Sequence, residues 1–374
     1  MDAKNEHRPA PLRSVEWLKG FDLDMGAYDH YAKDGKTLTM ALQEHKDTKT
    51  ELSPYLGLTI GEVIQEKKRL RAAGQPAPLT AFEECWKELG IQTHGAYTDV
   101  LGKVYEYSDS DVLFPEYWSN QIYVGLLKTS YVPEFVMGET VIDADNYHKI
   151  YLNTLEQNRE LKRVGEYEEF PEVQILIAEE SVKIQMFGAY VTLSYKAQKQ
   201  QRLGLFNKAL EQIGLQIDVD RMDDLVRTLR LGDGNTNTPG TTVTTAATGT
   251  IATFDVIALA TGAPTPYKVN KCVWRKALLQ EYLTTLADFD NPIATFGFMS
   301  VDLPRNFEWD RSSMVTDNAI AVDSRYAVEH ITNGAVLVES EKIIRKQFTG
   351  TAVSHGDCFT IFDNNAVVLF DETH

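Results

Sequence analysis

From Lys196 to Leu231 the chain reads KAQKQQRLGLFNKALEQIGLQIDVDRMDDLVRTLRL, with apolar side chains at Phe206, Leu210, Ile213, Ile217, Met222, Leu225 and Leu229. These steps keep the three-and-four rhythm of one helix face. No proline interrupts the stretch, and Gly232 followed by Asp233-Gly234 supplies the stop. As a single helix it would run roughly 50 Å, far beyond an average helix of ~11–12 residues. Gly204 and Gly214 each cost about 1 kcal/mol relative to alanine, so they predict a bend or a close neighbour. The stretch reads as a beam with something laid along it.

Upstream, Thr59 with Glu62 and Thr80 with Glu83 have the spacing of capping boxes. They predict helices over Ile60–Ala73 and Ala81–Leu89, separated by the proline-bearing joint Gly74–Pro78 and closed by Gly90. Residues 1–50 are polar with scattered aromatics (Trp17, Phe21, Tyr28, Tyr31) and read as an extended arm. Asp111–Tyr151 reads as an arm and a strand, because Pro115 and Pro133 favour extended backbone. Asn153–Ala178 is crowded with charge, and strands are predicted around Val173–Ile177 and Val182–Leu193. Past the beam, LGDGNTNTPGTTVTTAATGT reads as a loop. Helices are predicted at Thr253–Ala260, Val273–Ala287 and Arg325–Ile331. Strands are predicted near Lys268–Cys272, Ile293–Met299 and Ala319–Val322. A hairpin of Thr351–Val353 and Cys358–Phe362 follows, with Ala366–Phe370 behind it.

Composition narrows the class. The chain has 374 residues, 43% hydrophobic and 24% charged, which is the composition of a folded protein with room for two or three structural units. A net charge of −17 argues against a basic nucleic-acid reader. Cys85, Cys272 and Cys358 are far apart and odd in number, so neither a disulfide framework nor a zinc knuckle is expected. The first residues lack an apolar signal core, and no run of about 18 apolar residues occurs. Neither export through a membrane nor residence in one is expected, and no internal repeat is present.

Candidate chemistry is sparse. LGDGNTNTPG lacks the Gly-Lys-Ser/Thr of a phosphate-binding loop. Asp218, Asp220, Asp223 and Asp224 lack the glycine and closing glutamate of a calcium loop, and read as a solvated or interface face. Glu329-His330 and Ser354-His355 suggest a hydrolase, but no Gly-x-Ser-x-Gly accompanies them. His355-Gly356-Asp357 falls at the predicted hairpin turn, where such residues are ordinary. No catalytic, cofactor-binding or metal-ligating residue is assigned.

The order of these elements, with the phrases LFPEYWSNQIYVGLL, KRVGEYEEFPEV, KIQMFGAYVTLSY, LVRTLRLGDG and NAIAVDSRYAVEHI, resembles the major capsid proteins of tailed bacteriophages. The resemblance covers about Asp111 to His374. It implies an α+β Hong Kong 97-like fold with an N-terminal arm, an extended β-hairpin loop, a peripheral domain holding the long spine helix, and an axial domain. The implied division is 1–110 (arm and small helical hairpin, scaffold-like or shell-stabilising), 111–150 (arm leading into the body) and 151–180 (extended loop). Residues 181–250 form the peripheral domain with the spine helix at about 196–231. Then come 251–344 (axial domain) and 345–374 (strands returning to the peripheral domain).

The function implied is a non-catalytic coat protein that self-assembles, as pentamers and hexamers, into an icosahedral shell around double-stranded DNA. It would be found in the virion and assembled in the host cytoplasm. DNA contact would be non-specific, which the acidity permits. Portal, scaffolding or decoration proteins are the further partners the resemblance allows. Contact residues are then expected on the finger (Arg159, Lys162, Arg163, Glu166, Glu168, Glu169) and on the axial loop (Asn306, Arg311). The beam's apolar face (Phe206, Leu210, Ile213, Ile217, Leu225) would pack the core. Pro171, after Phe170, would fix the finger's return by denying one ladder hydrogen bond.

Some members join subunits by an isopeptide bond; Lys162 or Lys149 with Asn364 or Asn365 have the right types, although most members lack the bond. Some also lose an N-terminal scaffolding segment to a protease; that segment is present here, so no such cleavage is expected. Two other readings are an encapsulin-like compartment of the same fold and an acidic cytosolic enzyme, which would need a pocket of converging polar groups.

Overall fold

The structure, a computed structural model, describes residues 12, 15–21, 23, 31, 36–50, 52–93, 98–106, 108–127, 132–142, 144–152, 166, 175–177, 181–232, 241–244, 253–275, 277–278, 307–309, 318–334, 337–343, 345 and 348–371. In chain order come helices α1 (Leu38–Asp47), α2 (Ile60–Ala72), α3 (Ala81–Glu88), α4 (Ser108–Leu126) and α5 (Val132–Phe135). Strands β1 (Glu139–Val141), β2 (Asn146–Tyr147), β3 (Ile150–Leu152), β4 (Ile175–Ile177), β5 (Val182–Lys183) and β6 (Gln185–Ser194) follow. Next are α6 (Tyr195–Gln200), α7 (Leu203–Leu231), β7 (Thr241–Thr244), α8 (Thr253–Thr261), β8 (Lys271–Trp274) and β9 (Phe307–Trp309). The last are β10 (Asn318–Val322), β11 (Val328–Thr332), β12 (Leu337–Ile343), β13 (Phe348–Ile361) and β14 (Val367–Asp371). Two compact units share this chain. The first takes Met1–Thr129, Gly188–Ile217 and Val336–Ser354, and the second takes Ser130–Phe187, Asp218–Ala335 and His355–His374.

The first unit is built on helices. Both predicted capping boxes form: Thr59 accepts from the Glu62 amide and Thr80 from the Glu83 amide, while each glutamate reaches back to its threonine. Replacing Thr59 or Thr80 by alanine is expected to lower stability by about 1 kcal/mol each, read from a denaturant melt. Residues 38–47, expected as extended arm, are helical instead. Leu38 and Leu42 of α1 are buried, and so are Leu12, Leu18 and Leu23 ahead of it. Gln43 of α1 accepts the first amide of α3, that of Ala81, at 2.9 Å.

Residues 111–126, also expected as extended, belong to helix α4, which has Pro115 inside it. Leu113, Phe114, Tyr117, Trp118, Ile122 and Leu126 are buried at helical spacing. Their burial, at roughly 1.5–3 kcal/mol for each large apolar side chain, outweighs the penalty of about 3 kcal/mol for an interior proline. Trp118 meets Phe206 edge-on with ring centres 4.9 Å apart, and Phe114 stacks on Phe206 at 6.0 Å.

The predicted beam is two helices. It breaks at Gln201-Arg202, where the Leu101 amide donates to Gln201 O and the Leu203 amide to Asp99 O. Gly214 and Gly125 mark where α7 crosses α4. A Cβ at Gly214 would overlap the Ile122 carbonyl oxygen and fall 2.8 Å from Leu126 N, and one at Gly125 would overlap the Glu211 carbonyl. Gly214 therefore serves a close neighbour, one of the two outcomes expected of it. Within this unit β12 runs antiparallel to residues 348–354 of β13, from Leu337↔Ser354 to Ile343↔Phe348.

The second unit is built on sheets. In one, β1 pairs parallel with β11, and β11 pairs antiparallel with residues 357–361 of β13. In the other the order is β7-β14-β10-β8-β9. Here several expectations are corrected. Residues 328–331, expected within a helix, belong to strand β11: the buried Asp323 carboxylate accepts from the Lys268 and Arg325 amides and fixes a turn. Beyond that turn, Val328 and Ile331 are buried between two strands. Residues 351–353 and 358–361 are one strand rather than two arms of a hairpin. Val273-Trp274, expected to open a helix, end strand β8; of the rest of that stretch, 277–278 are helical and 279–287 lie outside the described residues. Thr241–Thr244, expected as loop, are strand β7, parallel to β14. Strand β14 lies beside the long helix, with Val367 in the cluster of Leu225, Val226 and Leu229. It is also the ladder partner of β10 and β7. The strand expected at Ile293–Met299 lies outside the described residues.

Candidate assembly surfaces

At the base of the predicted finger, β3 and β4 form an antiparallel ribbon with Ile150↔Ile177, Tyr151↔Leu176 and Leu152↔Ile175 in register. Between them Glu166 lies in a turn and is exposed. Arg159, Lys162, Arg163, Glu168, Glu169 and Phe170-Pro171 lie outside the described residues, as do Asn306 and Arg311, which bracket β9. A two-stranded ribbon is marginal in water by itself.

The apolar residues assigned to the beam divide between the units. Phe206, Leu210 and Ile217 are buried in the first, with Ile213 partly buried against the same cluster. Leu225 is buried in the second, with Met222, Val226 and Leu229. The acidic run does not act as a set: Asp218 is buried, Asp220 is exposed, and Asp223 and Asp224 are half-buried. Burial pushes the Asp224 carboxyl up, against the pull of Arg227. Among the described residues no group of three or more His, Cys, Asp or Glu is placed to hold a metal ion.

One polar cluster escaped the sequence reading. Asp357, which is 1% exposed, accepts from Arg221 Nε at 2.6 Å on Oδ2. His330 Nε2 lies 3.0 Å from Asp357 Oδ1, and His355 Nε2 lies 3.0 Å from Oδ2. Alternation along β13 puts His355, Asp357 and Phe359 on one face, where Phe359 stacks on His330 at 4.8 Å. Burial works to raise the Asp357 carboxyl. The hydrogen bond with His330, the nearby His355 ring and the Arg221 charge outweigh it and hold the group well below the usual carboxylate range.

His355-Gly356-Asp357 is thus mid-strand rather than a turn. His355 and Asp357 are polar because their partners lie inside the fold. Next in sequence, Cys358 packs instead with Val182, Ile184 and Ile331, and burial pushes its thiol up to about 12. A neutral thiol on the opposite face of the strand is no nucleophile for this cluster. Glu329 accepts from Thr140 Oγ1 at 2.5 Å and from Tyr147 Oη at 3.0 Å. Lys149 is buried, with Nζ donating to the Ile361 carbonyl at 3.2 Å, and Asn364-Asn365 sit in a turn whose Asn365 amide donates to Asp363 Oδ1. The amine of Lys149 is therefore already engaged within its own unit.

Strand β6 was predicted as a strand but not as a surface. It is ten residues long and pairs with β13; among the described residues it has no second strand partner. Gly188, Ala189, Tyr190, Thr192 and Ser194 are exposed, while Val191 and Leu193 pack on the core of the first unit. Tyr190 is 49% exposed and lies over Gly350, where a Cβ would collide with its ring. From Ile184 to Tyr195 there is no charged residue and no proline.

No family model and no curated protein matches this chain. Solved structures do. A virus-like particle from Pyrococcus furiosus superposes with a TM-score of 0.50 at 9% identity, covering 68% of this chain and 98% of that one. The SrpI encapsulin of Synechococcus elongatus gives a TM-score of 0.45 at 13% identity, covering 66% and 89%. The capsid of the cyanophage P-SCSP1u gives 0.45 at 10% identity, covering 65% and 88%. Through the first of these, which is matched over nearly its whole length, the mixed helix-and-sheet architecture is that of the Hong Kong 97-type fold.

Proposed function

We propose that the chain is the subunit of a closed icosahedral shell, the coat protein of a tailed phage enclosing double-stranded DNA. The observation that supports this is the superposition along 98% of a particle-forming subunit. In this reading no reaction is catalysed. Function lies in many modest contacts, which multivalency combines into a shell tighter than any one interface. Copies of the chain meet as pentamers and hexamers, with the finger of one lying across its neighbour. DNA is held without sequence-specific contacts, portal, scaffolding or decoration proteins complete the virion, and assembly takes place in the host cytoplasm. A compartment for a protein cargo uses the same architecture and differs in what it encloses.

Negative-stain microscopy of the purified protein, with absorbance at 260 and 280 nm on the fast-sedimenting fraction, tests the proposal. Closed angular shells carrying nucleic acid are expected. Protein-filled shells would move the assignment to the compartment, and a small oligomer with no shell under any condition would end it. Reversing charge at the finger, Lys162→Glu with Arg163→Glu, is expected to leave a soluble protein that forms no complete shells. Normal particles from that variant would remove the finger from the contact set.

A further inference from the structure

We propose that the hollow at the joint between α6 and α7 is a site for nucleic-acid phosphates, the place where this acidic chain touches what its shell encloses. The inference rests on the shell reading above and names one contact within it. The hollow has a volume of about 530 Å³, with Lys196, Gln200, Gln201 and Arg202 in its lining and Leu205 as an apolar wall. All five residues are exposed. Among the described residues the lining holds no carboxylate. Lysine and arginine bring hydrogen-bond donors only, and the glutamine amides add more. Two cations at one place match successive phosphates along a strand.

The backbone under the hollow is held firmly. The Leu203 amide donates to Asp99 O, the Leu101 amide to Gln201 O and the Gly204 amide to Thr98 Oγ1. Asp99 therefore comes close with its main chain, but its carboxylate is engaged by Lys103 at 3.0 Å and by the Gln92 amide at 2.7 Å.

Charge points to the occupant. From Ser181 to Leu210 there is no aspartate or glutamate, in a chain that has 54 of them, while Lys183, Lys196, Lys199, Arg202 and Lys208 lie within that stretch. Lys208 is engaged by Glu211, whereas Lys196 and Arg202 line the hollow. A subunit of net charge −17 repels a polyanion over most of its surface, so contact is confined to a local excess of positive charge. An open hollow with an exposed lining does not enclose a small ligand as deep pockets do, but a backbone can lie across it. Phosphate contacts read no base edge, so binding is without sequence preference.

Fluorescence anisotropy of a short labelled duplex of random sequence, titrated with the full-length free subunit, tests the site. With two phosphate contacts, raising salt from about 50 to about 200 mM is expected to weaken binding roughly tenfold. Lys196→Gln with Arg202→Gln is expected to bind roughly tenfold more weakly at the lower salt, with a salt slope smaller by about 2. Lys68→Gln with Lys87→Gln changes the net charge equally on exposed side chains of α2 and α3, and is expected to bind as the wild type does. Equal losses from the two variants would overturn the proposal, since general charge would then account for the binding. Inorganic phosphate competing as well as unlabelled duplex, phosphate for phosphate, would overturn nucleic acid as the occupant. No duplex binding by a wild type that forms shells would overturn the site and leave the shell reading intact. Duplex binding that the first variant loses, from a wild type that forms no shells, would uphold the site and end the shell reading.

Discussion

Gly214→Ala is expected to destabilise the protein by about 3 kcal/mol, the upper end of the usual cost of overpacking. Helix propensity alone predicts the opposite, since alanine is favoured over glycine by about 1 kcal/mol in a helix interior. The sign is decided by what the new methyl group would touch. At Gly214 it meets the carbonyl of Ile122 and the amide of Leu126, both backbone atoms of α4 that cannot rotate aside. The two helices would have to separate, opening the aromatic packing of Phe206 against Trp118 and Phe114. A melting temperature lower by roughly 6–12 °C follows for a domain of this size. Gly61, in helix α2, is the control. A Cβ there meets only Leu127 Cδ1 at 3.8 Å, an ordinary contact. Gly61→Ala should therefore be neutral or stabilise by up to about 1 kcal/mol. Equal effects from the two substitutions would show that the close crossing does not carry weight in the fold.

Asp357→Asn is expected to cost about 3–5 kcal/mol, because it leaves the Arg221 guanidinium beside a neutral group in a buried site. Replacing both partners by apolar residues, Arg221→Met with Asp357→Leu, should cost less than Asp357→Asn alone, since no uncompensated charge remains. The pH dependence carries its own sign. The folded protein holds Asp357 well below its ordinary value of 3.8, so the stabilisation is fully present above about pH 4. It is lost as pH falls from there toward the depressed folded value. Denaturant melts of the wild type should lose stability over that acid range, and the Asp357→Asn variant should lose correspondingly less. Parallel acid limbs in the two proteins would mean that Asp357 is not charged in the folded state.

The parts legible in the sequence were those whose causes are local. The capping boxes at Thr59 and Thr80 use residues three apart, and both helices start where those residues require. The long apolar periodicity of Phe206 through Leu229 is likewise a property of one stretch. Only the break at Gln201-Arg202 was missed, because it is fixed by ladder contacts to Asp99 and Leu101. The misread parts have distant causes. Pro115 argues locally for extended backbone, yet its neighbours bury as a helix against Phe206, about ninety positions away in sequence. His355 and Asp357 carry polar side chains because Arg221 and His330 wait for them, and no nearby residue reveals those partners. Of the charged stretch between β3 and β4, only Glu166 is among the described residues.

The threading of the two units has a consequence for timing. Each is assembled from three separated stretches, and the third stretch of both comes from residues 336–374. During synthesis the capped helices of residues 59–88 emerge early and can form from contacts close in sequence. Neither unit can close until residues 348–361 have left the ribosome, because β13 supplies ladder partners to β12 in one and to β11 in the other. A nascent chain therefore exposes incomplete sheets until β13 has emerged, and both units then complete their sheets nearly at once. For the shell subunit proposed above, this threading delays self-association until the shared strand β13 is in place.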